Sequence, residues 1–266
     1  MKHEASMTVA ERSAFINNCE LANCTHSMIE HVSAMHAPVP RLLEEPSKAA
    51  VVGSNLLAFA EGVSRQNKQD VMDSFLFATL VANKAFNPET QSQEWYARFN
   101  KVLSTLGWFS TNWSYSRYRS THQRFSMEQA GLEILGSAIA AAALPGPASL
   151  AMLKVAADAV EALKAQDKPL RMFERQTKTH NGANFRIGAC IESTDGTVNL
   201  AMGAVNFSAD SAVTNVLFWE WNSTEVQTFR GEDNLVLNTR IYATLRKQIQ
   251  QRLSKNAESA IEEFEI

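Results

Sequence analysis

The stretch ANFRIGACIESTDGTVNLAMGAVNF, residues 183–207, decides how the second half of this chain folds. Its side chains alternate with a period of two, so that Phe185 and Ile187 share one face while Arg186 and Cys190 share the other. Asp195-Gly196 is typical of a tight turn between strands. We therefore predict strands over 183–192 and 197–207, joined as an antiparallel hairpin.

The same period extends in both directions from this hairpin. Residues 170–177, 213–221 and 224–230 also favour strands, and Asn-Gly and Asn-Ser pairs mark turns between them. The sequence thus predicts five consecutive strands, most simply an antiparallel meander. A closing helix is expected at about 235–254, and the change of period places a boundary at Lys168-Pro169.

Residues 1–168 show helical spacing instead. Helices are predicted at 9–36, 47–61 and 68–84, and a fourth opens at Pro88. The most apolar part is 130–165, within which 134–153 carry no charge. Pro145-Gly146-Pro147 divides this part into an antiparallel helical hairpin.

The predicted fold class is therefore α+β. An N-terminal helical bundle, residues 1–168, contains the buried apolar hairpin. It packs on a C-terminal five-stranded, mainly antiparallel sheet and a final helix, residues 169–266, so that both regions form one compact unit.

Composition restricts the classes of function. Hydrophobic residues at 45% and charged residues at 20% fit a globular protein, and the net charge of −3 argues against a nucleic-acid partner. The first residues lack the apolar region of a secretory signal, and three cysteines make no disulfide framework. We expect synthesis in a reducing cytoplasm, with any secretion following a non-classical route.

No strong catalytic motif occurs. The sequence lacks a phosphate-binding loop, a Rossmann fingerprint, a paired-cysteine zinc knuckle, a nucleophile elbow and a His-Glu-x-x-His pair. We therefore assign no catalytic residue and no cofactor. An enzyme whose residues converge from separate segments stays an alternative, and the polar residues to watch are His122, His180, Asp195 and Glu220.

Metal-ligand types cluster near the N-terminus, at Cys19, Cys24, His26, His31 and His36. Their spacing does not place them on one helix face, so no metal site is predicted.

An aromatic and basic stretch precedes the apolar hairpin. Its rings and arginines could line a membrane surface, where Trp and Tyr present an apolar ring and a polar edge, or could stack on a ligand. They could equally pack in the core, with the arginines paired to local acids. The candidates for membrane or ligand contact are Trp108, Trp113, Tyr115, Arg117, Tyr118 and Arg119.

The hairpin has two possible roles. It suits a buried central element of a large helical domain, or a hidden pair of helices released at a membrane, the strategy of the helical pore-forming colicins. Each arm alone is a poor membrane span, because the run is broken near its centre and is rich in weakly hydrophobic Ala and Gly.

Cys190 lies mid-strand between Ala189 and Ile191, as either a small buried hydrophobe or the attachment site of a thioester-linked acyl chain. The chain length, the helix-then-strand order and this cysteine resemble the Evf-type virulence factors of insect- and plant-associated bacteria. The resemblance implies an α/β protein without a classical signal, a buried palmitoyl group at Cys190, and a virulence role with lipid or membrane association. It implies no enzymatic reaction.

The rival interpretation is a soluble interaction module or immunity-type protein. Such a protein would bind a protein partner through its strand edge or a helical face.

Overall fold

A computed structural model describes residues 7–22, 48–209, 215–253 and 261–266. The fold is α+β, with seven helices and ten strands in the described residues. The helices are α1 (Val9–Asn18), α2 (Arg65–Ala85), α3 (Ser92–Leu106), α4 (Met127–Ala141), α5 (Gly146–Ala165), α6 (Asp167–Thr177) and α7 (Thr239–Leu253). The strands are β1 (Ala49–Val52), β2 (Asn55–Phe59), β3 (Trp108–Ser110), β4 (Ser114–Tyr118), β5 (Arg124–Ser126), β6 (Gly182–Glu192), β7 (Val198–Ala209), β8 (Glu220–Asn222), β9 (Val226–Leu237) and β10 (Ile261–Phe264).

Eight of these strands form one mixed sheet. Its order is β10-β1-β2-β6-β7-β9-β3, with β4 also paired to β9, while β5 and β8 form a separate two-stranded sheet. The predicted hairpin of β6 and β7 is confirmed as an antiparallel pair. The prediction of a five-stranded sheet is wrong, because strands from the N-terminal half join on both sides and β2 runs parallel to β6.

The helix predicted at 47–61 is also wrong. This segment is the antiparallel pair β1 and β2, joined by a turn at Gly53, whose positive φ of 55° suits glycine. Every residue of both strands is buried. A strand covered on both faces has a continuous apolar sequence without alternation, and such a run also fits a buried helix.

The strand predicted at 170–177 is instead part of helix α6. Its buried residues Pro169, Phe173 and Thr177 are four apart, so they lie on one helix face. Pro169 is tolerated there because the first turn of a helix leaves its N–H groups unpaired.

The remaining strand predictions are right in part. Residues 210–214 lie outside the described residues, and of 213–221 only its end belongs to a strand, the short β8. The strand predicted at 224–230 extends as β9 to Leu237, so that the closing helix, α7, begins at Thr239.

Helices cover both faces of the sheet. One core contains buried side chains of α1, α2, α3 and α7, and the other contains those of α4, α5 and α6. The N-terminal helices therefore do not form a separate bundle.

The predicted apolar hairpin is confirmed as α4 and α5, and α4 packs closely on the sheet. A Cβ atom added at Gly203 of β7 would lie 2.7 Å from the Leu135 backbone nitrogen, so this contact requires glycine.

Candidate functional site

The chain between α3 and α4 forms β3, β4 and β5 and carries all six predicted contact residues. Trp108 is 1% exposed and meets Phe75 edge-on at 5.9 Å. Trp113 and Tyr115 pack against Tyr96 at 5.7 and 5.2 Å. The rings of these three predicted residues thus contact the protein's own core.

Tyr118 points to the opposite face of the sheet. Its hydroxyl donates a hydrogen bond of 2.8 Å to the Glu133 carboxylate on α4. Burial, reinforced by Glu133, raises the pKa of Tyr118 to about 12, so the phenol keeps its proton at neutral pH. Tyr118 packs on Phe125 with the ring centroids 6.0 Å apart.

These two rings form the floor of an open depression, the arginine cleft, between β4, β5 and the β8–β9 turn. It consists of two adjoining cavities of about 330 and 310 Å³. Both cavities are lined by Tyr118, Ser120 and Phe125. The first is also lined by Arg117, Arg119, Ser223, Val226 and Thr228, and the second by His122, Arg124, Gln129 and Glu133.

The charge of the cleft is positive on balance. Arg117, Arg119 and Arg124 are exposed, and within the described part of the chain none of them forms an ion pair. Among the described residues that line the cleft, Glu133 alone is acidic, and it accepts the Tyr118 hydrogen bond. Guanidinium groups keep their protons at neutral pH and bind carboxylate and phosphate oxygens with two N–H groups.

A buried hydroxyl adds to this chemistry. Thr228 on β9 is 3% exposed, lines the first cavity, and its Oγ1 has no hydrogen-bond partner in the described chain. Buried polar atoms are normally paired. The first cavity thus offers two arginines and an unpartnered hydroxyl over an apolar floor, and this arrangement is suited to binding an anion.

An exposed tryptophan belongs to the same end of the molecule. Trp219 is 54% exposed and leads into β8, which pairs with β5, the strand that begins at Arg124. Sequence reasoning missed Trp219 and Thr228. The local sequence gave no signal for Trp219, because strand alternation would place it on the same face as Trp221, which is buried.

The apolar hairpin borders the cleft through Gln129 and Glu133 of α4. Its far half has exposed apolar side chains, with Leu150 at 68% and Leu153 at 39%. No helix in the described residues is long and apolar enough to cross a membrane.

Cys190 lies away from the cleft and is fully buried in the core that contains side chains of α1, α2, α3 and α7. Burial raises the pKa of its thiol far above the usual range, so the sulfur is neutral. Neither cavity of the arginine cleft is lined by Cys190.

The other polar residues singled out in the sequence occupy different elements. His122 lines the second cavity, and His180 precedes β6, where its backbone N–H donates to Glu89. Asp195 caps the β6–β7 turn through the Thr197 N–H, and Glu220 is exposed on β8.

Most of the metal-ligand types near the N-terminus fall outside the described residues. These are Cys24, His26, His31 and His36. Cys19 is described; it is buried, and its sulfur lies 3.9 Å from Arg98.

Comparison with known proteins gives distant similarity only. No family model and no curated protein matches the chain. Among solved structures it is similar to a delta-endotoxin, at 14% identity and a TM-score of 0.37, over 80% of this chain and 90% of that one. It is also similar to the Evf virulence factor, at 12% identity and a TM-score of 0.31, over 79% and 85% of the two chains. The Evf resemblance thus has a distant structural counterpart and no support from a sequence family. Neither similarity carries an argument about function.

Proposed function

We propose that this chain is a non-enzymatic, virulence-type protein that binds anionic membrane surfaces through the arginine cleft and Trp219. The observation that carries the proposal is the set of three arginines in the cleft, none of which forms an ion pair within the described residues. The exposed Trp219 precedes β8, the strand that pairs with β5. Trp side chains favour the membrane–water interface, where the ring leaves water and the indole N–H stays hydrated.

Charge provides most of the expected binding energy. Each arginine near an anionic lipid surface contributes about 1 kcal/mol, so three arginines together supply about 3 kcal/mol. The net charge of the chain is −3, so attraction to such a surface depends on this local patch. Binding should therefore be peripheral and should weaken as salt is added.

Vesicle co-sedimentation tests the proposal. The protein should bind vesicles of phosphatidylcholine mixed with phosphatidylglycerol, and should bind pure phosphatidylcholine weakly. The triple variant Arg117→Ala, Arg119→Ala and Arg124→Ala should lose about a hundredfold in affinity, at about 1 kcal/mol per arginine.

A charge-matched triple variant is the control for this experiment. Arg65, Arg171 and Arg240 are exposed and lie on α2, α6 and α7, so their replacement by alanine changes the net charge equally. Equal losses in the two triple variants, or no binding to anionic vesicles, would contradict the proposal. Dye leakage from the same vesicles separates a pore-forming protein from a passive binder.

An acyl chain on Cys190 is part of the same proposal. The sulfur lies among apolar side chains, where a thioester-linked chain would be kept from water, at about 0.8 kcal/mol per buried CH₂. Since the sulfur is fully buried, acylation would have to precede closure of the core. The intact mass of protein from its native producer should exceed the sequence mass by one fatty acyl group. An unmodified mass would contradict acylation of Cys190 and would not bear on membrane binding through the arginine cleft.

The proposal also includes synthesis in the cytoplasm and delivery by a non-classical route.

A further inference from the structure

A third cavity, of about 180 Å³, lies where α6 ends and β6 begins. Its lining is mainly polar and includes Ser54, Asn184, Thr179, Lys178 and Arg175. None of these residues lines the arginine cleft.

A buried arginine stands directly behind this cavity. Arg186 on β6 is 0% exposed, and no ion pair joins it to a carboxylate within the described chain. Its guanidinium lies 4.4 Å from the ring centre of Trp95 and 5.2 Å from that of Phe99. Buried charges are normally paired, because desolvation of an ion is costly. Among the described residues, therefore, only neutral groups stabilise this buried positive charge.

The oxygen partners of Arg186 connect it to the cavity. Nη1 donates to Asn184 Oδ1 at 2.9 Å, and Nη2 donates to both the carbonyl and the hydroxyl oxygen of Ser54. Because the Ser54 hydroxyl accepts from Arg186, its own proton remains available for a further acceptor, and no acceptor is found in the described residues. A hydrogen bond of this kind polarises the hydroxyl and makes it a better donor.

A second hydroxyl in the lining also lacks a partner. Thr179 Oγ1 is buried and makes no hydrogen bond within the described chain. Arg175 and Lys178 bring two further positive charges to the lining.

Two acidic side chains lie close by. Glu174 is 3.9 Å from Lys178, and Glu89 accepts hydrogen bonds from the backbone N–H groups of His180 and Asn181. Within the described residues, no carboxylate forms an ion pair with Arg175 or Arg186.

We propose that this cavity binds a phosphate-class oxyanion, either inorganic phosphate or a phosphate monoester. Two hydroxyl donors and two cationic side chains approach from different parts of the lining, an arrangement that fits an anion with several acceptor oxygens. The bound anion supplies the negative charge that Arg186 lacks. The site is independent of the arginine cleft and of membrane binding.

Calorimetric titration of the full chain with inorganic phosphate, at constant ionic strength maintained with chloride, tests the site. Saturable binding is expected, together with a rise in Tm and with amide NMR shifts centred on residues 176–184. The double variant Ser54→Ala and Thr179→Val should weaken phosphate binding about tenfold or more, through the loss of two hydrogen bonds. The double variant Arg65→Ala with Arg240→Ala is the charge control. Both arginines are exposed and line neither this cavity nor the arginine cleft, so the variant should bind phosphate as the parent does.

A second variant keeps the test informative if the double variant Ser54→Ala and Thr179→Val does not fold. Arg175 is exposed, so Arg175→Gln should keep the fold and still weaken phosphate binding. Competition by glycerol 3-phosphate would support a free monoester as a ligand, whereas a response confined to phosphatidic acid vesicles would overturn the proposal in favour of a lipid headgroup. No saturable binding of inorganic phosphate, an equal response to chloride, or weakening by the Arg65→Ala with Arg240→Ala control alone would overturn the proposal.

Discussion

The Tyr118 hydroxyl on β4 donates a hydrogen bond of 2.8 Å to the Glu133 carboxylate on α4. This bond ties the edge strand that carries Arg117 directly to the apolar hairpin. The strand that carries Arg117 and the position of α4 are thereby physically connected.

The strength of this connection can be measured with a double-mutant cycle. Tyr118→Phe combined with Glu133→Ala should show a coupling free energy of about 1 kcal/mol in urea unfolding, because each single change already removes the hydrogen bond. Tyr118→Phe combined with Glu128→Ala, on the same helix, should be additive. Equal coupling in both cycles would mean that the bond has no specific role.

The close contact between α4 and the sheet predicts opposite effects at two glycines. Gly203→Ala places a Cβ atom 2.7 Å from the Leu135 backbone, which cannot yield as a side-chain end can, so a loss of about 1–3 kcal/mol is expected. At Gly136 of α4 the added atom meets only Leu153, at 3.7 Å. Gly136→Ala should therefore stabilise the helix by about 0.5–1 kcal/mol. Thermal or urea unfolding of both variants gives the comparison, and a neutral Gly203→Ala would contradict the packing.

A buried carboxyl on β9 predicts a pH dependence of stability. Burial, only partly offset by the Ser110 hydrogen bond of 2.6 Å, raises the pKa of Asp233 to about 6. Because the folded pKa lies above the unfolded value of about 3.9, the Asp233 contribution to stability is complete below pH 4 and is lost as the pH rises to 6. The loss is about 2–3 kcal/mol, since one pKa unit equals about 1.4 kcal/mol.

Asp233→Asn removes this titration and keeps an acceptor for Ser110. Relative to the parent, the variant should gain stability steadily between pH 4 and pH 6 and should show a constant difference above that. Parallel curves of unfolding free energy over this range would show that Asp233 does not titrate there.

Trp219 is predicted to contribute to membrane binding through its ring. Trp219→Ala should reduce affinity for anionic vesicles about tenfold, somewhat less than full burial of a large apolar side chain would give. Phe109 on β3 is a matched control, being 50% exposed, against 54% for Trp219. A similar loss for Phe109→Ala would indicate nonspecific adsorption.

Several features were predictable because their signals are local. The alternation of 183–207 gave β6 and β7, and Pro145-Gly146-Pro147 separated α4 from α5. The segment of β1 and β2 was not predictable in this way. This segment is buried by its neighbouring strands β10 and β6 and by the helices on both faces of the sheet. Because both faces are buried, its apolar residues show neither the alternation of a half-buried strand nor the spacing of a helix face.

For the candidate site, too, some information is present in the sequence and some only in the folded structure. From the sequence alone, Trp108, Trp113 and Tyr115 were indistinguishable from Arg117 and Arg119 as contact residues, because one stretch contains them all. Only in the folded structure do the rings of Trp108, Trp113 and Tyr115 pack against the core, while the arginines stay at the surface.

The sequence by itself determined that an alternating β-hairpin and an apolar helical hairpin lie in one chain, since both depend on residues close in sequence. Tertiary structure decided that Arg117 and Thr228 line one cleft, and that Arg186 lies behind a separate polar cavity. The reason is physical: burial of the whole sheet selects which distant strands pair, and no local pattern encodes that choice.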